Sequence, residues 1–212
     1  MTDLLMKHPT TGRRTAVWTQ KLTAARWLWW PLLLFGIPRL GIALIAYLTV
    51  PLIADSTTPP LYHLRAGDNV LLDVFGSRWD TGFYVSIAEE GYKYEGVPLP
   101  SVAFFPLLPL LMRALTPLVG YALGGDTLVA GILISNVALA LTAVLFYRLV
   151  AEQWGTAVAD RAIWYWLIFP AAFFGSAIYT EALFLLLAVG ALYAARRGWG
   201  ELAPLLGLAA KL

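Results

Sequence analysis

Residues 127–147 read TLVAGILISNVALALTAVLFY, a run without a single ionisable side chain. A bilayer core about 30 Å thick is crossed by roughly 20 apolar residues in a helix, and this run is long enough to do so. Its polar pair, Ser135 and Asn136, reads as interhelical hydrogen bonding within an apolar helix. Working outward, residues 162–180 also lack charge, and residues 27–54 carry one exception, Arg39. Over all 212 residues, hydrophobic side chains make up 59% and charged ones 13%, about half the charged share of a soluble domain. That leaves too little charge to cover a water-exposed surface. The expected class is an all-α integral membrane protein of several spans.

The remaining composition excludes more than it identifies. Basic residues are scattered, with no block suited to a nucleic-acid backbone, so no nucleic-acid partner is expected. The chain has no cysteine, which excludes disulfides, thiolate chemistry and cysteine-ligated metals. His8 and His63 lack metal-ligand spacing.

Charge divides the chain into segments. Residues 1–26 hold Lys7, Arg13, Arg14, Lys21 and Arg26 against Asp3, and form the expected cytoplasmic tail. The apolar run that follows is longer than a signal-peptide core, so 27–54 reads as a retained first transmembrane helix with Trp27, Trp29 and Trp30 at its interface. Its Pro38 implies a kink, and Arg39 must find a partner or snorkel. Residues 55–102 form a long acidic outer loop, the natural place for function. Residues 103–123 carry Pro106, Pro109, Pro117 and Arg113, and read as a proline-broken re-entrant or interfacial segment. If they do not cross, Arg148, Arg161, Arg196 and Arg197 all fall on the cytoplasmic side. Residues 127–212 supply further transmembrane helices, the last one, from Leu202, incomplete as given.

Three runs carry candidate chemistry. In the first, residues 78–92, Trp79, Phe83 and Ile87 make one apolar stripe of a short amphipathic helix that Gly91 stops in a left-handed cap. Asp80 stands at its start. As an N-cap it would satisfy orphan backbone N–H groups. As a carboxylate held beside lipid, desolvation would raise its pKa toward that of a working base. Spacing does not separate the two. The second run, residues 103–110, reads as a proline-kinked segment or as one wall of a groove for an isoprenoid tail. The third centres on Glu181, the one acid between Asp160 and Glu201, set between two apolar helices as an interfacial cap or a functional group.

Taken together, Trp79-Asp80, Ile87-Ala88, Gly91-Tyr92, then Phe104-Phe105-Pro106 with Pro109, then Pro170 and Tyr179, Glu181, Ala182 and Phe184 resemble the PIG-V mannosyltransferases, the second GPI mannosyltransferases and their prokaryotic relatives. The resemblance implies a polytopic GT-C-like helical bundle with a large first extracytoplasmic loop containing amphipathic, juxtamembrane helices. It implies inverting transfer of mannose from a polyprenyl (dolichyl) phosphate to a glycolipid or glycan acceptor, in the plasma membrane of a prokaryote or the ER membrane of a eukaryote. Asp80 becomes the candidate base, and Arg78, Trp79, Tyr92, Phe105, Pro106 and Glu181 candidate substrate-binding positions. Arg65, Arg78 or Arg39 would face the phosphate. No cofactor is implied beyond the lipid-linked sugar. Nothing demands a metal, although an aspartate-rich loop has the ligand type to hold one. The family's later arginine-bearing motif is absent after Gly207-Leu208-Ala209, so the chain reads as a front portion. The alternatives are a small-solute transporter, against which the aliphatic central positions speak, and a catalytically silent membrane module.

Overall fold

The computed structural model describes residues 25–52, 69–94 and 100–211; most of the amino-terminal tail, the loop segment 53–68 with Arg65 and His63, and residues 95–99 lie outside the described residues. The helices in chain order are α1 (Arg26–Thr49), α2 (Val70–Gly76), α3 (Thr81–Glu90), α4 (Leu107–Leu123), α5 (Thr127–Trp154), α6 (Thr156–Ile168), α7 (Glu181–Arg196) and α8 (Leu202–Ala209). Short 3-10 turns follow α1 at Val50–Leu52 and α6 at Pro170–Phe173. Among the described residues there is no strand.

Helix α5 is the mast of the assembly. The Asp126 carboxylate accepts from the N–H groups of Leu128 at 3.0 Å and Val129 at 3.2 Å, fixing where the helix begins. Gly155, at φ +85°, ends it and turns the chain into α6. Its 28 residues extend about 42 Å, and α1, α2, α3, α4, α6 and α7 all pack along it. Helices α1 and α5 are long and apolar enough to cross a membrane.

The uncharged stretch 162–180 does not form one span. Phe169 precedes Pro170, and the residue before a proline is driven out of the helical region; Phe169 sits at φ −61°, ψ 133°. Helix α6 therefore stops at Ile168 after 13 residues, and the chain continues through the 3-10 turn and an irregular stretch to Glu181. Arg39 meets this break. Its guanidinium donates to the Leu167 carbonyl at 3.0 Å and the Ala172 carbonyl at 3.0 Å, so one buried cation satisfies acceptors that the broken helix frees.

Charge is sorted along the bundle. At the end where α1 begins, Arg26 pairs with Asp160 at 2.7 Å, and Tyr147 donates to the same carboxylate at 3.1 Å. Arg148 lies over the Trp27 ring at 4.3 Å, and Arg197 pairs with Glu152 at 2.5 Å. Helices α2, α3 and α4 pack instead around the first half of α5. Helix α4 buries Leu108, Met112 and Val119 and exposes Leu110, Leu118 and Tyr121. Arg113 of α4 donates to the Ala88 carbonyl at 2.6 Å, placing a cation on the last turn of α3.

Candidate active site

The corner before α3 is built from local polar contacts. Asn69 caps α2 by accepting from Leu71 and Leu72 N–H, each at 3.1 Å. Asp73 then accepts from the Ser77 hydroxyl at 2.9 Å and from Arg78 Nε at 3.0 Å. Against these anchors the chain turns through Trp79 at φ +56°, the one non-glycine residue with positive φ among the described residues. A bulky residue in the left-handed region costs about 1–2 kcal/mol, and such outliers persist where surrounding structure enforces them. Here the enforcement is aromatic: the Trp79 ring meets Phe173 at 5.9 Å and Phe174 at 5.6 Å, both edge-on. Trp79 is therefore not part of the α3 stripe. The buried face of α3 is Thr81, Tyr84, Val85, Ile87 and Ala88.

Asp80 follows at the N-cap position, yet its side chain makes no capping hydrogen bond. The capping alternative fails, and among the described residues the carboxylate has no partner and stands exposed rather than desolvated at the helix start. Its backbone N–H donates to the Tyr179 hydroxyl at 3.1 Å, a contact between residues 99 apart in sequence. Gly91 stops α3, but at φ +89°, ψ −178° it is extended with positive φ, not the left-handed helical cap expected.

The irregular stretch after α6 brings the third run to the first. The Ile178 N–H donates to the Phe75 carbonyl at 3.1 Å, and Asn136 of α5 donates to the Ser176 carbonyl at 3.0 Å. Gly131 lets the strap lie directly on α5: a Cβ there would stand 2.8 Å from Ile178 Cδ1. Tyr179, buried, and Glu181, the first residue of α7, are thereby set near Asp80. Partial burial pushes the Glu181 carboxyl above the ordinary glutamate value; a hydrogen bond at its own backbone opposes this, and the Asp80 charge adds to the rise. Burial likewise raises the Tyr179 phenol. Tyr84 is pushed up to about 12, by burial first, with the Thr180 hydroxyl pulling it down and the Glu181 and Asp80 charges adding to the rise.

The second run closes the site. Phe104 stacks on Phe83 at 4.5 Å and meets Tyr84 edge-on at 5.2 Å, while Tyr92 donates to the Phe104 carbonyl at 2.7 Å. Phe105 and Glu181 line one largely apolar cavity of about 200 Å³, walled also by Leu107, Leu183, Phe184, Leu187 and Ala209. Tyr92 and Pro106 line a smaller cleft of about 70 Å³ with Arg113 and Gly91. Trp79 and Asp80 line neither space. Arg78 is engaged by Asp73, and Arg39 by the carbonyls of the α6 break. Among the described residues no three metal-capable side chains converge. The Phe173–Phe174 pair escapes a sequence reading; Tyr179 belongs to the third marked run, but nothing local ties it to Asp80.

The profile of the family described as Mannosyltransferase (PIG-V) matches residues 42–206. A curated relative, GPI mannosyltransferase 2 of Chaetomium globosum, is 34% identical over 180 residues, taking in 74% of this chain and 36% of the relative. The chain thus spans about a third of the length of that relative. No solved structure matches it.

Proposed function

Because the chain belongs to the Mannosyltransferase (PIG-V) family, we propose that it carries the catalytic outer loop and first spans of a polytopic, GT-C-like membrane glycosyltransferase. The reaction transfers a mannosyl group from a polyprenyl phosphate to a hydroxyl of a glycolipid or glycan acceptor, with inversion at the anomeric carbon. The observation that carries this reading is the Asp80 carboxylate, without a partner among the described residues, set by a strained corner beside Tyr179 and beside Glu181, which lines an apolar cavity.

In this reading the acceptor hydroxyl gives its proton to Asp80 as its oxygen attacks the anomeric carbon, and the bond to the lipid phosphate breaks with its electrons leaving on the phosphate oxygen. A phosphate is a good leaving group, so positioning and a base outweigh the need for a strong acid. Glu181, Phe105 and Phe184 form the wall along which the carrier lipid lies. Tyr92 and Pro106 shape the acceptor side, Trp79 packs the corner that carries Asp80, and Arg78 acts through Asp73 to hold that corner. The basic end is cytoplasmic, which places α2, α3 and the site on the opposite side, with α4 a re-entrant helix. Both ends of α4 support this: Leu107 and Leu108 line the cavity with Glu181, and its other end turns at Gly124 directly into α5.

The test is Asp80→Asn in the full-length protein, assayed in membranes with radiolabelled polyprenyl-phosphate-mannose. Loss of a general base is worth about 10²–10⁴ in rate, so transfer should fall by at least about a hundredfold while membrane insertion persists. Transfer at the unmodified rate would remove Asp80 from this role.

A further inference from the structure

We propose that Tyr179 is the positioning residue that aims Asp80. The inference deepens the reading above and rests on Asp80 being the base.

Three observations meet at this phenol. Asp80 occupies an N-cap position without using its carboxylate as a cap, so something else must hold the residue in place. Its backbone N–H is held by the Tyr179 hydroxyl at 3.1 Å, a neutral acceptor that makes no demand on the carboxylate oxygens. The residue before it is strained, with Trp79 at φ +56°, so the corner would relax toward an ordinary conformation if its restraints were removed. The two restraints share one foundation. Trp79 leans on Phe174 at 5.6 Å, and Phe174 in turn meets Tyr179 at 5.5 Å.

Tyr179 can act as a fixed post because it is itself pinned. It is 9% exposed, meets Tyr84 at 6.2 Å, and follows Ile178, whose N–H is bonded to Phe75 and whose side chain is pressed on Gly131. The phenol therefore transmits the position of the α5 surface to the Asp80 backbone. An apolar cap in its place would keep the ring packing and lose only the post.

The experiment compares Tyr179→Phe, Asp80→Asn and Tyr147→Phe in the full-length protein. Tyr147 is a buried phenol with one carboxylate partner at the far end of the bundle, so it controls for the loss of a buried hydroxyl. Each variant is purified in detergent, its thermal unfolding recorded, and kcat and donor KM measured with polyprenyl-phosphate-mannose. A displacement of about 1 Å at a reacting group costs about a hundredfold, so Tyr179→Phe is expected to lower kcat ten- to a hundredfold with donor KM unchanged. Tyr147→Phe should keep kcat per folded molecule. A Tyr179→Phe enzyme with unmodified kcat, or one whose KM rises while kcat holds, overturns the positioning role. If Asp80→Asn also transfers normally, the catalytic reading has failed; if it is inactive while Tyr179→Phe is unaffected, the inference about Tyr179 fails alone.

Discussion

Replacing Gly131 by alanine tests how tightly the site depends on the face of α5. The added Cβ would stand 2.8 Å from Ile178 Cδ1, 2.9 Å from Cγ1 and 3.0 Å from Cγ2. Carbon atoms rest at about 3.5–4.0 Å, so the strap must retreat by roughly 0.5–1 Å. A rotamer change gives no escape, because Cγ1 and Cγ2 both branch from Cβ and Ile178 is wholly buried. The Ile178 backbone is also tied to Phe75, so retreat drags Tyr179 from Asp80 and disturbs the base of α2. Two stability effects compete. Alanine in a helix gains about 0.5–1 kcal/mol over glycine, whereas overpacking costs about 1–3 kcal/mol. The clash wins, for a net loss of up to about 2.5 kcal/mol, while transfer falls about ten- to a hundredfold through misplacement. Thermal unfolding in detergent and the membrane transfer assay read the two quantities. The double variant Gly131→Ala with Ile178→Ala should recover activity relative to Gly131→Ala alone, since truncating Ile178 removes the atoms in conflict. Full transfer and unchanged unfolding in Gly131→Ala would refute the close approach and the chain of restraint built on it.

Two further outcomes follow from the same centre. The folded pKa of Glu181 is raised above its ordinary value of 4.5, so the folded state holds the proton more tightly than the unfolded one. Its stabilising contribution is complete below the unfolded pKa and is lost as pH rises through the folded one; wild-type unfolding temperature should fall across that window relative to Glu181→Gln, and parallel profiles would contradict the shift. At position 79, asparagine and alanine both lose the contacts with Phe173 and Phe174, but asparagine tolerates the left-handed region better. Trp79→Asn should therefore unfold above Trp79→Ala, by up to about 1 kcal/mol, and the reverse order would show that the corner relaxes freely.

Much of the fold was legible because it follows from solvent and spacing. The uncharged run that became α5, the apolar run of α1 and the glycine stop of α3 are one-dimensional signals, and a helix or a stop forms at each, although α1 ends at Thr49 and α5 runs on to Trp154. The span expected over 162–180 failed for a local reason: hydropathy averages over a window, whereas Phe169–Pro170 breaks hydrogen bonding at a point. Asp80 and Glu181 were both marked, but their proximity depends on Ile178 lying on Gly131, a contact between distant segments. The left-handed turn at Trp79 left no trace in its residue type, since nothing about tryptophan favours positive φ. Its cause is the packing of Phe173 and Phe174, about a hundred residues later.

The grip of Arg39 on two carbonyls also sets an order of events during synthesis. The nearer of those acceptors, Leu167, is made 128 residues after the arginine. At about 5–20 residues per second, the first helix waits roughly 6–25 seconds with an unsatisfied cation in its apolar run. An arginine at the centre of a membrane helix costs about 2.5–3.5 kcal/mol on insertion scales, a cost that acceptors made later would offset. The pairing of α1 with the break after α6 therefore forms late, once the chain has been made through Ala172.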